Sequence, residues 1–289
     1  MGQSVLGEPL SIPAPGNAAT ESAFAHRDGV MYVEGVSLAV IAAAVGTPCY
    51  VYSASTIRAR WQRLSIAFAG LPHRIHFAMK ANSNQAVLQL LHELGAGLDI
   101  VSGGELFRAR RAGFTGGDIV FSGVGKTAAE LSQALEDSVM LINVESEAEL
   151  LALNDIAGTR SLIAPVAIRV NPEVTVDTPH EYISTGQKGQ KFGIPLDDVA
   201  RIASLILELP NVQLLGLGMH LGSQIATVHP MRDALPRLLG LIDLVRQQGH
   251  TLRYIDVGGG LAVPYEGEAE ADVDGYAEFV STAVRSTDL

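Results

Sequence analysis

Seven short apolar runs recur along the chain, each followed by an amphipathic stretch, and this alternation limits the fold more than any other feature. The runs are RIHFAMK (74–80), LDIVS (98–102), DIVFSG (118–123), LINVES (141–146), PVAIRVN (165–171), LLGLGMHLGS (214–223) and YIDVGGG (254–260). Between them lie helical patterns such as NQAVLQLLHELG, where Val87, Leu88, Leu91 and Leu94 recur at helical spacing and Gly95 supplies the stop. Strands alternating with helices imply parallel βα units. Two α/β architectures accommodate them, an open doubly wound sheet and a (β/α)8 barrel.

The faces of the strands choose between the two. In a barrel one face of every strand looks into the lumen and the other meets the helices. In the first run Ile75, Phe77 and Met79 oppose His76, Ala78 and Lys80; in the fifth Ile168 and Val170 oppose Ala167 and Arg169. The sixth sets Met219 and Leu221 against Gly218, His220 and Gly222. Asp99, Asn143, Glu145 and Asp256 add polar groups near strand C-terminal ends, where barrel enzymes keep their chemistry. A doubly wound sheet buries both faces against helices and would not tolerate so many inward charges. The barrel is expected.

With 31 acidic against 20 basic residues the net charge is -11, and no Lys/Arg-rich run is present to neutralise a nucleic-acid backbone. A small-molecule partner is favoured. Apolar runs such as LAVIAAAV (38–45) fall short of the roughly 20 residues that cross a bilayer, so no membrane span is expected. Residues 1–25 lack a basic region followed by an apolar one and read as a disordered leader. In 26–53, DGVMYVEGV alternates as a strand with turns at Gly29 and Gly35, and SLAVIAAAVGTP reads as a helix stopped by Gly46 and Pro48. The single cysteine, Cys49, forms no internal disulfide, which points to a reducing compartment and the cytoplasm; PCYVYS around it reads as a strand with a small buried side chain.

Lys80 sits at the end of the first strand. A lysine on a buried strand is costly unless it is neutralised, paired or covalently committed, and Schiff-base formation removes the charge. The alternatives are an ammonium reaching solvent at the barrel mouth or pairing with Asp99 or Glu105. Gly258, Gly259 and Gly260 follow the seventh strand, where bare backbone could approach a phosphate or simply turn. His220 and Ser223 share one strand end, although an inward histidine also serves as an ordinary core residue. A reactive lysine with a phosphate loop suggests pyridoxal phosphate. GVGKT (123–127) is no P-loop, because Val120 stands where its leading glycine belongs, and GAGLDI (95–100) lacks the third glycine of a dinucleotide fingerprint. Neither paired cysteines nor an HExxH helix appears, so no metal is expected.

FAMKAN, LDIVSGGEL, KFGI, HLGSQ and VGGGL, in that order from about Asp28 onward, resemble the fold-type III pyridoxal-phosphate decarboxylases. VGTPCYVYS, FSGVGKTAAE, NVESEAEL and ISTGQKGQKFG extend the similarity. The resemblance implies a barrel of the alanine racemase/decarboxylase type over 54–289, with 26–53 joining a second, β domain. It assigns Lys80 to the covalent link with the cofactor and His220 to stacking on the pyridine ring. Ser223, Gly258, Gly259 and Gly260 would bind phosphate, and Asp99, Glu105 and Arg169 occupy the family's positions around the cofactor. HEYISTGQKGQKFG (180–193) resembles a mobile active-site loop. Gln224 matches the branch that takes meso-2,6-diaminopimelate to L-lysine, the last step of lysine biosynthesis, where ornithine-type relatives carry glycine.

The activity implied is that of a carbon-carbon lyase acting on an amino acid, as a cytoplasmic homodimer. An eighth barrel strand and the β domain are expected to be missing, and with them the acid at the pyridine nitrogen and an arginine. A cofactor-binding fragment without turnover is therefore expected. An ornithine- or arginine-type decarboxylase, or a non-catalytic cofactor-binding regulator, are the competing readings.

Overall fold

The computed structural model describes residues 23–174, 191–265 and 267–289. The chain divides into two compact units, Met1–Trp61 and Gln62–Leu289, with the division inside helix α2 (Ala54–Ala67). Most of the expected leader and of the loop at 180–193 lies outside the described residues.

In the first unit β1 (Phe24–Arg27), β2 (Val30–Val33) and β3 (Val36–Ser37) form an antiparallel meander. Its strands turn at Asp28-Gly29 and Glu34-Gly35, all four at positive φ, the conformation that fits the twist of tight hairpins. β1 begins at Phe24, two residues inside the expected leader. Helix α1 (Leu38–Val45) starts where Ser37 Oγ accepts from Ala39 N at 3.2 Å and stops at Gly46, φ 82°. Cys49 departs from expectation: it is exposed and belongs to no strand. The stretch around it pairs with no ladder, so the side chain has no sheet face to be buried against.

The second unit contains all seven expected strands. They are β4 (His76–Ala78), β5 (Gly97–Ile100), β6 (Ile119–Phe121), β7 (Leu141–Val144), β8 (Ala164–Asn171), β10 (Val212–Met219) and β11 (Tyr254–Asp256). All neighbours run parallel in the order β11-β10-β8-β7-β6-β5-β4, and a short β9 (Ile194–Pro195) adds to β8. The connecting helices are α3 (Gln85–Glu93), α4 (Gly103–Arg111), α5 (Ala128–Glu136), α6 (Glu147–Thr159), α7 (Leu196–Glu208) and α8 (His229–Gln247), with α9 (Val273–Val284) after β11. Asn84, Ser102, Thr127 and Ser146 cap α3 to α6, each accepting from a first-turn N–H.

The two strand faces carry two different cores. Phe77, Met79, Leu98, Ile100, Phe121, Ile142, Val144, Ile168, Val170, Leu217 and Met219 pack against the helices. Val120, Leu141, Ala167 and Leu215, with Met140 and Tyr254, form a smaller cluster on the opposite face. Tyr254 of β11 meets β6 and β7 there, and Asp256 reaches Asn143 of β7, although β10 and β8 intervene in the pairing order. The sheet is therefore curled around a lumen, as in a (β/α) barrel. Among the described residues its end strands, β4 and β11, do not pair with each other.

Most strands are shorter at their C-terminal ends than the sequence suggests. The ladder of β4 stops at Ala78, which pairs with Asp99, and Met79–Ala81 is a 3-10 turn. Lys80 thus lies on the turn leaving the strand and is exposed, rather than on a buried strand. Met79 keeps its place in the core, while the turn leaves the ammonium in water, which spares its desolvation cost.

Candidate active site

The lumen-facing polar residues form one connected network at the C-terminal ends of the strands. Asn143 Nδ2 donates to Ser122 Oγ at 2.9 Å and to Asp256 Oδ2 at 3.4 Å, and Ser122 donates in turn to Asp99. Burial pushes the Asp99 carboxyl up to about 6; Ser122 opposes this, Asp256 adds to it, and Lys80 and Arg169 pull it down. Lys80 is thus near enough to act on Asp99, yet it makes no hydrogen bond or ion pair among the described residues.

Above this layer Arg169 Nη1 donates to Glu145 Oε1 at 2.8 Å. Glu145 also accepts from Gly123 N at 2.9 Å and Gly193 N at 3.2 Å, and Arg169 lies over the Phe192 ring at 5.0 Å. KFGI is so brought against the strand ends. Burial, then the Arg169 and Lys80 charges, lower the His220 imidazole to about 4, so the ring is neutral at pH 7. Lys126 is 1% exposed and donates to Gly123 O, Asn143 O and Glu149 Oε1 at 2.6 to 2.8 Å. That braces the β6 and β7 ends, and Thr127 caps α5; GVGKT has a structural job here.

The glycine run after β11 is shaped by close approach. A Cβ on Gly258 would lie 2.5 Å from Met219 O and 3.3 Å from His220 Nδ1, and one on Gly260 would lie 1.9 Å from Gly222 O. Both glycines have positive φ, 70° and 92°. Gly259 differs: nothing lies within 4 Å of the position its Cβ would take. Gly258 N donates to Asp256 Oδ1 at 2.8 Å, which ties the run to the polar network.

The structure therefore brings together Lys80, Asp99, Arg169, His220 and Gly258 to Gly260, with Ser223 beside Gly260. Glu105 folds back on its own strand exit, where Oε2 accepts from Val101 N at 2.7 Å. Ser122, Asn143, Glu145, Asp256 and Lys126 belong to the same assembly. Asn143, Glu145 and Asp256 signalled themselves as polar residues at strand ends; Ser122 and Lys126 carried no such signal. Among the described residues no cluster of three His, Cys, Asp or Glu is arranged to hold a metal.

These residues fit a phosphorylated pyridine aldehyde. Among the described residues the primary amine of Lys80 has no partner to give up, nothing lies within 4 Å of where a Cβ on Gly259 would sit, and a neutral imidazole stands against the glycine run. The chain belongs to the pyridoxal-dependent decarboxylases: the family's "pyridoxal binding domain" matches residues 54–287. Pyridoxal phosphate is the cofactor of this domain.

Diaminopimelate decarboxylases are among its relatives within the family. That of Pseudomonas aeruginosa is 44% identical over 266 residues, covering 92% of this chain and 64% of the relative. That of Vibrio cholerae is 45% identical over 253 residues, covering 88% and 60%. The crystal structure of diaminopimelate decarboxylase from Helicobacter pylori complexed with L-lysine superposes with a TM-score of 0.84 at 35% identity, covering 87% of this chain and 64% of that one. The chain thus spans about 64% of the length of the first of these relatives. Among the described residues no helix is long and apolar enough to cross a membrane.

Proposed function

We propose that the chain carries the cofactor-binding part of a decarboxylase that converts meso-2,6-diaminopimelate to L-lysine. Residues 54–289 would be the barrel and 26–53 would contribute to a β domain. The observation that carries this reading is the convergence of Lys80, Asp99, His220 and the glycine run at one end of a curled parallel sheet.

Bound pyridoxal phosphate supplies an electron sink for the bond that breaks when carbon dioxide leaves. Lys80 Nζ would hold the cofactor covalently and, when free, would hold or move a proton at that nitrogen. His220 presents a neutral, flat ring without adding positive charge. The backbone N–H groups of Gly259 and Gly260 and the Ser223 hydroxyl would donate to phosphate oxygens, while the Gly258 N–H stays on Asp256. Asp99 and Arg169 set the field around the ring, and Glu145 keeps Arg169 from swinging away. Overall the substrate loses its carboxylate as carbon dioxide and gains one proton at the same carbon.

Cytoplasmic location and homodimer formation complete the reading, and light scattering of the purified protein tests the latter. The chemical test is borohydride reduction of the cofactor-loaded chain followed by peptide mass mapping. Phosphopyridoxyl on Lys80 is the expected result, and label on another lysine or on none overturns the assignment. Carbon dioxide release from meso-diaminopimelate, ornithine and arginine, assayed on a full-length version, tests the substrate.

A further inference from the structure

Gln224 follows Ser223 in HLGSQ and is held with φ at 58°, a left-handed conformation that strains a side-chain-bearing residue. Both ends of its amide are engaged. Oε1 accepts from Val263 N at 3.0 Å, and Nε2 donates to Val263 O at 3.1 Å, so one side chain pairs with one backbone residue as a neighbouring strand would. Next to this pair Ile225 N donates to Gly260 O at 2.9 Å and Ala262 N donates to Ile225 O at 3.1 Å. Four hydrogen bonds therefore join residues 224–225 to residues 260–263.

The two segments so joined are the two that the proposed function uses for phosphate. Ser223 precedes Gln224 directly, and Gly258 to Gly260 run straight into the clasped stretch. The glycine run carries no side chain of its own to fix it. We propose that Gln224 is a positioning residue for the cofactor's phosphate, clasping the glycine run to the His220–Ser223 turn so that their donors face one anion. The inference rests on the cofactor reading above. It also gives the glutamine a role that involves no contact with substrate: its amide is committed to Val263.

Gln224→Gly removes the clasp and keeps the left-handed backbone free of strain, while Gln224→Met keeps the side chain's length and charge and loses both hydrogen bonds. The purified 289-residue chain and both variants are titrated with pyridoxal 5'-phosphate and with pyridoxal, which lacks the phosphate, by cofactor absorbance. Two exposed hydrogen bonds make the expected loss for Gln224→Gly about tenfold in phosphate-ester affinity, with a similar loss for Gln224→Met. Pyridoxal affinity and the thermal midpoint should stay near those of the parent. Unchanged phosphate-ester affinity, or an equal loss for both ligands, overturns the clasp. If Gln224→Gly does not fold, Gln224→Met decides on the same criterion. A parent chain that binds neither ligand overturns the cofactor reading, and this inference with it.

Discussion

Glu145 and Arg169 form an ion pair 2.8 Å apart with side-chain exposures of 2% and 11%, and the same carboxylate takes the N–H groups of Gly123 and Gly193. One acidic side chain thus joins three segments at the strand ends. Removing one member of a buried pair leaves the other charged and unmatched, which costs about 3 to 5 kcal/mol. Glu145→Leu and Arg169→Leu should each lose that order of stability in urea unfolding. The double variant should lose less than the sum, and strictly additive losses would refute the coupling.

Asp99 and His220 respond to acid with opposite signs. The Asp99 carboxyl lies at about 6 in the fold against an ordinary 3.8, so the folded chain takes up its proton first and this group stabilises as pH falls from 6 to 4. The His220 ring lies at about 4 against 6.5, so the unfolded chain takes up its proton first and stability is lost from pH 6.5 to 4. Each contribution is about 3 kcal/mol, and the two offset in the parent. Relative to the parent, Asp99→Asn should be stabilised at pH 8 and lose that advantage by pH 4. His220→Phe should gain on the parent over the same descent. Parallel stability curves for parent and variants would contradict both shifts.

The three glycines after β11 are not equivalent. Adding a methyl to Gly260 drives it to 1.9 Å from Gly222 O at φ 92°, and Gly258→Ala meets Met219 O at 2.5 Å, also at positive φ. Both should destabilise the chain by more than about 1 kcal/mol. Gly259→Ala meets nothing within 4 Å and should leave stability intact. Thermal unfolding of the three alanine variants ranks them, and equal effects would count against the close approach.

Tyr276 is buried among Phe68 and its neighbours, and its hydroxyl lacks a hydrogen-bond partner among the described residues. Burial and the Asp256 carboxylate push its ionisation well above the ordinary value of 10. Tyr276→Phe deletes an unsatisfied polar atom and keeps the ring, so it should stabilise the chain by about 1 kcal/mol in urea unfolding. A loss of stability would reveal a partner for the hydroxyl.

Period-two alternation was enough to find the seven strands of the pairing path, because Phe77, Ile100, Val144 and Ile168 face the helices while their neighbours face the lumen; the two-residue β9 is too short to alternate. It could not mark strand ends. Met79 and Lys80 continue the alternation of β4 by residue type, yet the chain has already turned there. Cys49 shows the converse: apolar neighbours suggested a strand, but a strand needs a partner ladder that local sequence does not reveal. Lys80, Asp99, His220 and the glycines were legible as polar or flexible residues at strand ends. The pairs Glu145–Gly193 and Gln224–Val263 span 48 and 39 residues, so only the folded barrel could bring them together.

β4 leads into Lys80 and β11 leads into Gly258, and these two strands are the ends of the pairing path. A ligand linked to Lys80 and anchored by its phosphate on the glycine run would therefore act as a tie-rod across the seam of the barrel. Its binding energy would hold the sheet's two margins together as well as hold the ligand. Slowed amide exchange should then appear first at the two margins, in His76–Ala78 and Tyr254–Asp256.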